Sequence, residues 1–138
     1  FGSMNCLSWM VGHLADQEQR YWLTLQGDEP VVPELNELVG HGKRASTPSL
    51  ATMRDAWETV TVAVDPFLDR LTTEDLLALP PRMSPAFNES NGTLIRRVIY
   101  HYWFHIGESQ AVRQLLGNAD LPQFVGDLGK AAPYRPEI

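Results

Sequence analysis

Between Leu50 and Leu71 the apolar residues Leu50, Met53, Trp57, Val60, Val64, Phe67 and Leu71 recur at alternating spacings of three and four. That period puts them along one side of an α-helix and makes a seam that only another helix can bury. Two further segments carry a helical pattern. The first runs from about Asn5 to Leu25 with the stripe Leu7, Met10, Leu14, Tyr21 and Leu25, with Asn5 as N-cap and Gly27 as stop. The other begins at Asn91 or Gly92 and ends at Gly117, with Leu94, Val98, His101, His105, Val112 and Leu116 as its main stripe. Period-two alternation persists nowhere, so the fold class is all-α, a helix bundle.

The punctuation between these segments is equally readable. A short helix over Glu34 to Val39 is closed by Gly40, and His41 to Ser46 is a loop. Thr47 followed by Pro48 predicts the N-terminus of the middle long helix, with Pro66 kinking it or starting a new turn capped by Asp65. Thr72-Thr73-Glu74-Asp75 opens a short helix that stops before Pro80-Pro81, and an irregular connector follows to Ser90. Ile95, Ile99 and Ile106 add a second apolar edge to the last long helix, which is expected to be central or buried again in a dimer. The tail from Asp120 to Ile138 is expected to be extended and packed outside the bundle, with residues 1–138 a single domain. Three long helices is an odd count, because four close a core more naturally.

Composition narrows the function classes. A net charge of -6, with Lys43-Arg44 and Arg96-Arg97 the only basic clusters, argues against a nucleic-acid surface. No apolar run reaches the ~20 residues of a membrane span and no signal sequence opens the chain, so a cytoplasmic protein is expected. Cys6 is the sole cysteine, which excludes an intrachain disulfide and a cysteine-based zinc framework; it reads as a small, buried, apolar residue. Asn88-Glu89-Ser90 and Asn91-Gly92-Thr93 match the glycosylation pattern but read as a polar loop and a helix cap.

Chemistry concentrates in Ile99-Tyr100-His101-Tyr102-Trp103-Phe104-His105-Ile106-Gly107-Glu108. His101 and His105 lie one helical turn apart on one face, where a divalent ion can bridge them. The chain has four histidines. A third, His13, belongs to another helical segment, and two histidines from one helix with one from another make a three-ligand centre with an open position. The competing reading is a pair of core histidines hydrogen-bonded to carboxylates or hydroxyls. Glu108 and Glu18 are candidates to accept the free N–H of a ligand histidine, against a reading as solvated helix charges. Asp16 and Glu108, each one turn beyond a histidine, would suggest a two-metal carboxylate site, a pattern that wants more inward glutamates than the chain offers. His41 reads as a surface residue, and the aromatic residues as mostly core, with a few walling a pocket.

Asn5-Cys6-Leu7-Ser8-Trp9-Met10-Val11-Gly12-His13-Leu14-Ala15, the later His101-Tyr102-Trp103-Phe104-His105-Ile106-Gly107-Glu108 and the tail Leu121-Pro122-Gln123-Phe124-Val125-Gly126 resemble the DinB-like (YfiT-like) metalloenzyme family. The resemblance implies a four-helix bundle of up-down-down-up order, commonly a homodimer. It also implies a divalent metal held by His13, His101 and His105: zinc first, with nickel, iron or cobalt as alternatives. The family's first helix has no counterpart before the Trp9–His13 segment, so an absent upstream segment or a second chain is expected to complete the core. The implied activity is transfer of a low-molecular-weight thiol, such as bacillithiol or mycothiol, to an electrophilic small molecule. A hydrolase using metal-bound water and a non-catalytic metal-binding dimerisation module are the alternatives.

Overall fold

The computed structural model describes residues 4–123 and 126–134. Among them the fold is all-α. The elements in chain order are α1 (Leu7–Trp22), a 3-10 turn (Thr24–Gln26), α2 (Leu35–Val39), α3 (Leu50–Leu68), α4 (Thr73–Leu77), α5 (Asn91–Leu115) and α6 (Leu128–Ala131). Three of these are long, so a fourth bundle helix is not found among the described residues.

The directions of the long helices follow from their contacts. Near its start, α1 meets α3 where Gly12 faces Met53, and near its end Trp22 stacks on Phe67 at 6.0 Å. These two helices therefore run parallel. Helix α5 is antiparallel to α1, because Ser109 reaches Met10 while Gln26 donates to Asn91 Oδ1 at 2.9 Å. A parallel pair needs the chain to travel back along the bundle, and residues 23–49 do so through α2. Gln19 pins that return: its amide donates to Val32 O at 2.9 Å and accepts from Val32 N at 3.1 Å, as a second backbone strand would.

The packing core comprises Ala15, Trp22, Leu23, Leu35, Val39, Met53, Ala56, Val60, Val64 and Leu94. Helix α1 is enclosed on most of its circumference, so Asp16, Gln17, Glu18 and Gln19 are buried in succession. Helix α1 ends at Trp22, earlier than the expected Leu25, and Gly27 instead closes the following 3-10 turn with a left-handed φ of 110°, which suits a residue with no Cβ.

Several boundaries differ from the sequence reading. Cys6, not Asn5, occupies the N-cap of α1, half-buried with its Sγ 3.2 Å from Ser8 Oγ. The Asn5 amide instead reaches Glu108 Oε1 at 3.4 Å. Ser49 rather than Thr47 caps α3, because its hydroxyl accepts the Thr52 N–H at 3.1 Å. Pro66 lies within α3, which continues through it. The helical partner lost by that proline is the carbonyl of Val62, an exposed residue whose backbone can turn to water.

Helix α4 has the expected start, a full capping box between Thr72 and Asp75. Ser90 caps α5, and Asn91 is buried, donating to Asp75 O at 3.0 Å. Helix α5 is not the central helix of the chain, which leaves burial against a second copy as the expectation that stands. Only Asn91, Leu94 and His105 of it are buried, whereas Ile99, Tyr100, Phe104, Ile106 and Leu116 are exposed. It flanks the core instead of running through it: α1 and α4 pack along its backbone, and α3 reaches it through the Trp57 indole, which donates to the Tyr102 hydroxyl at 2.7 Å. The tail is not wholly extended, since Asp127 caps the short α6; Phe124, Val125 and residues 135–138 fall outside the described residues.

At Gly12, α1 comes close to both α3 and α2. A Cβ there would lie 2.3 Å from Met53 Sδ and 3.3 Å from Val39 Cγ2. At Gly107, also in a helix, an added Cβ meets nothing within 4 Å. Gly12→Ala is therefore expected to cost about 1 kcal/mol or more through overpacking, while Gly107→Ala gains about 0.5–1 kcal/mol of helix propensity. Urea unfolding of both variants checks this, and shifts of the same sign would rule out close approach as the reason for Gly12.

Candidate metal centre

Three imidazoles converge where α1 crosses α5. Ligand nitrogens of His13, His101 and His105 all lie within 4.8 Å of one another. His101 Nε2 and His105 Nε2 are 3.0 Å apart, and the His13 ring centroid is 5.0 Å and 5.3 Å from those of His101 and His105. The i,i+4 spacing on α5 supplies one pair, and the antiparallel crossing of α1 supplies the third ring.

The ring orientations have identifiable causes. Val39 ends α2, so its carbonyl has no donor from the next helical turn. His13 Nδ1 fills that vacancy at 2.9 Å. A carbonyl only accepts, so Nδ1 carries the proton and the Nε2 lone pair is free for an ion. Trp9, one turn earlier, stacks on the His13 ring at 4.5 Å and 15° and fixes its plane. On α5, Glu108 Oε2 accepts from His105 Nδ1 at 2.8 Å, which leaves His105 Nε2 as the ligand atom.

Electrostatics favour neutral His13 and His101. Burial is the main cause lowering the His13 pKa, partly offset by the Val39 hydrogen bond. Burial also lowers His101, to about 4, with help from the neighbouring His105 and His13. Neutral imidazole is the form that binds metal. The donor set, spacing and lone-pair directions thus fit a divalent ion. Nitrogens at 2.0–2.1 Å from a tetrahedral zinc would lie roughly 3.3 Å apart, near the 3.0 Å between His101 and His105.

The other candidates fall elsewhere. Asp16 is buried beside the His13 turn, but its carboxylate takes the Asn36 amide at 3.4 Å and does not belong to the three-histidine group. Burial raises its pKa. Glu18 does not face the histidines. It lines a separate cavity and hydrogen-bonds with Tyr102 and Trp22, while His13 and His105 take Val39 and Glu108 as partners. His41 is exposed. Trp9 is the aromatic residue seated against the centre, and Phe104 adds an edge contact to His105 at 5.2 Å while being exposed on its other side. The Val39 carbonyl was not visible in sequence, since a backbone acceptor leaves no residue-type signal; its only trace was the Val39-Gly40 helix end.

The depressed His101 pKa carries a signed expectation for the metal-free, chelated protein. Its folded value lies below the ordinary 6.5, so as pH falls the unfolded chain takes the proton first. The stability that neutral His101 contributes is full above about 6.5 and is lost as pH drops towards about 4. Relative to His101→Gln, wild type is expected to lose stability across that window in urea titrations at successive pH. A constant difference would contradict the assignment.

No curated protein and no solved structure matches the chain. A family model described as the DinB superfamily matches residues 2–109, a span that includes His13, His101, His105 and Glu108. With all-helical architecture and most of its length under that model, the chain belongs to the DinB superfamily.

Proposed function

We propose that this protein is a divalent-metal-dependent enzyme that transfers a low-molecular-weight thiol to an electrophilic small molecule. The observation that carries the reading is the all-imidazole group His13, His101 and His105, with no fourth side-chain ligand among the described residues. Three neutral donors leave the charge of the ion undiminished and leave a coordination position open. A divalent ion there, zinc first among the candidates, supplies Lewis acidity that keeps a coordinated thiol ionised at neutral pH.

The protein's own groups serve that centre by orientation. The Glu108 carboxylate holds the His105 proton on Nδ1 and raises the donor strength of Nε2. Val39 and Trp9 fix the plane of His13. In the proposed reaction the thiol proton departs to solvent, the sulfur forms a bond to the electrophilic carbon, and that carbon's bond to its leaving group breaks, the electron pair departing with the leaving group.

Hydrolysis by a metal-bound water needs a carboxylate available as general base. Glu108 is engaged with His105 and Asn5, and Asp16 with Asn36, which favours the thiol reading. We place the enzyme in the cytoplasm as a homodimer, for which the exposed Tyr100 and Phe104 of α5 offer apolar surface.

Metal analysis of protein purified without a histidine tag is expected to give one divalent ion per chain. His13→Ala and His105→Ala are expected to abolish stoichiometric binding, and Glu108→Gln to weaken it about 10–100-fold. With cobalt in place of zinc, a low-molecular-weight thiol is expected to add a sulfur-to-metal charge-transfer band, and thiol consumption with an electrophilic arene to require the metal. Equal metal content in wild type and His105→Ala would falsify the centre; a thiol without spectral effect, at full metal loading, would overturn the transferase reading alone.

A further inference from the structure

A cavity of about 420 Å³, away from the histidine centre, lies between α1, α5 and the α3–α4 segment. Its walls are Trp22, Leu68, Leu71, Leu76, Ile95, Val98 and Ile99, and its polar group is Glu18. None of the three histidines lines it. The size is within the range of small-molecule pockets, and so is the lining, mostly apolar with few polar groups.

Glu18 is the feature a packing role does not explain. It is 8% exposed, and its Oε2 has no hydrogen-bond partner although it is buried. Tyr102 and Trp22 hydrogen-bond with the same side chain, and Tyr102 is held in turn by the Trp57 indole at 2.7 Å. The carboxyl group is thus braced by aromatic residues while one oxygen stays unpaired. An unpaired buried carboxylate oxygen carries its full desolvation cost, so such groups are found where something else completes them. Burial is the main cause raising the Glu18 pKa, and the negative charge of Asp65 adds a smaller push in the same direction. A cation relieves both costs; an anion worsens them.

We propose that this cavity is a ligand site, distinct from the histidine centre, for a small apolar molecule bearing one protonated amine. The ammonium group donates to Glu18 Oε2, and the hydrocarbon body lies along Leu68, Leu71, Ile95 and Val98. Ile99, which is exposed, stands at the mouth.

The test is calorimetric titration of the full chain with n-hexylammonium, hexan-1-ol and hexanoate. Hexylammonium is expected to bind saturably at one per chain, at least tenfold tighter than the other two. Glu18→Gln is expected to reduce hexylammonium affinity tenfold or more with little effect on hexanol. Leu71→Trp, which fills the cavity from a chain segment outside the long helices, is expected to remove both. Circular dichroism and a cooperative urea-unfolding transition establish that each variant is folded. Absence of saturable binding, equal affinity for the three probes, or unchanged hexylammonium affinity in Glu18→Gln overturns the proposal. So does a dimer that sedimentation shows Leu71→Trp to dissociate, since a second copy would then be what covers the cavity.

Discussion

The close parallel contact of α1 with α3, made possible by a missing side chain at Gly12, sets the rest of the molecule. Because the two helices run the same way, the chain must return between them, and the return brings α2 against α1. The end of α2 then delivers the Val39 carbonyl to His13. A bulkier residue at Gly12 would push Met53 and Val39 outwards and with them the group that holds the His13 proton. Packing and ligand orientation are therefore one arrangement.

Enclosure of α1 has a second consequence. A helix surrounded on most sides must bury polar residues somewhere on its circumference, and each of those needs a partner. Gln19 finds the backbone of Val32, Asp16 finds Asn36, and His13 finds Val39. Glu18 is satisfied on one side only. The interior of this small bundle thus contains two polar stations on α1, about a turn and a half apart, one built of imidazoles and the other of a carboxylate among aromatic rings.

Much of the fold was legible because helical period, capping residues and breakers are local. The start of α4 at Thr72 and the Gly40 end of α2 were both read from residue types at fixed offsets. Cap positions missed by a residue or two did so where neighbouring candidates competed, as Thr47 and Ser49 do, and hydrogen-bond geometry chose between them. The apolar stripe of α5 misled for a different reason. Ile99, Tyr100, Phe104 and Ile106 are apolar enough for a core, but burial depends on what packs alongside, and among the described elements these four stay exposed.

The sequence by itself determined the helical class, the placing of the elements and the i,i+4 histidine pair, because these depend on spacing along one chain. Tertiary structure alone decided which partner each side chain met. His13 joined His101 and His105 through the antiparallel crossing of α1 and α5, a relation between residues some ninety positions apart that no local period encodes. Glu108 and Glu18 were equivalent candidates as letters. One turn on α5 put Glu108 against His105, whereas the same helix that presents His13 to the centre turns Glu18 into the apolar cavity. The reason is geometric: five residues along an α-helix advance the chain by about 7.5 Å and rotate it well past a full turn, so a carboxylate near a ligand in sequence need not be near it in space.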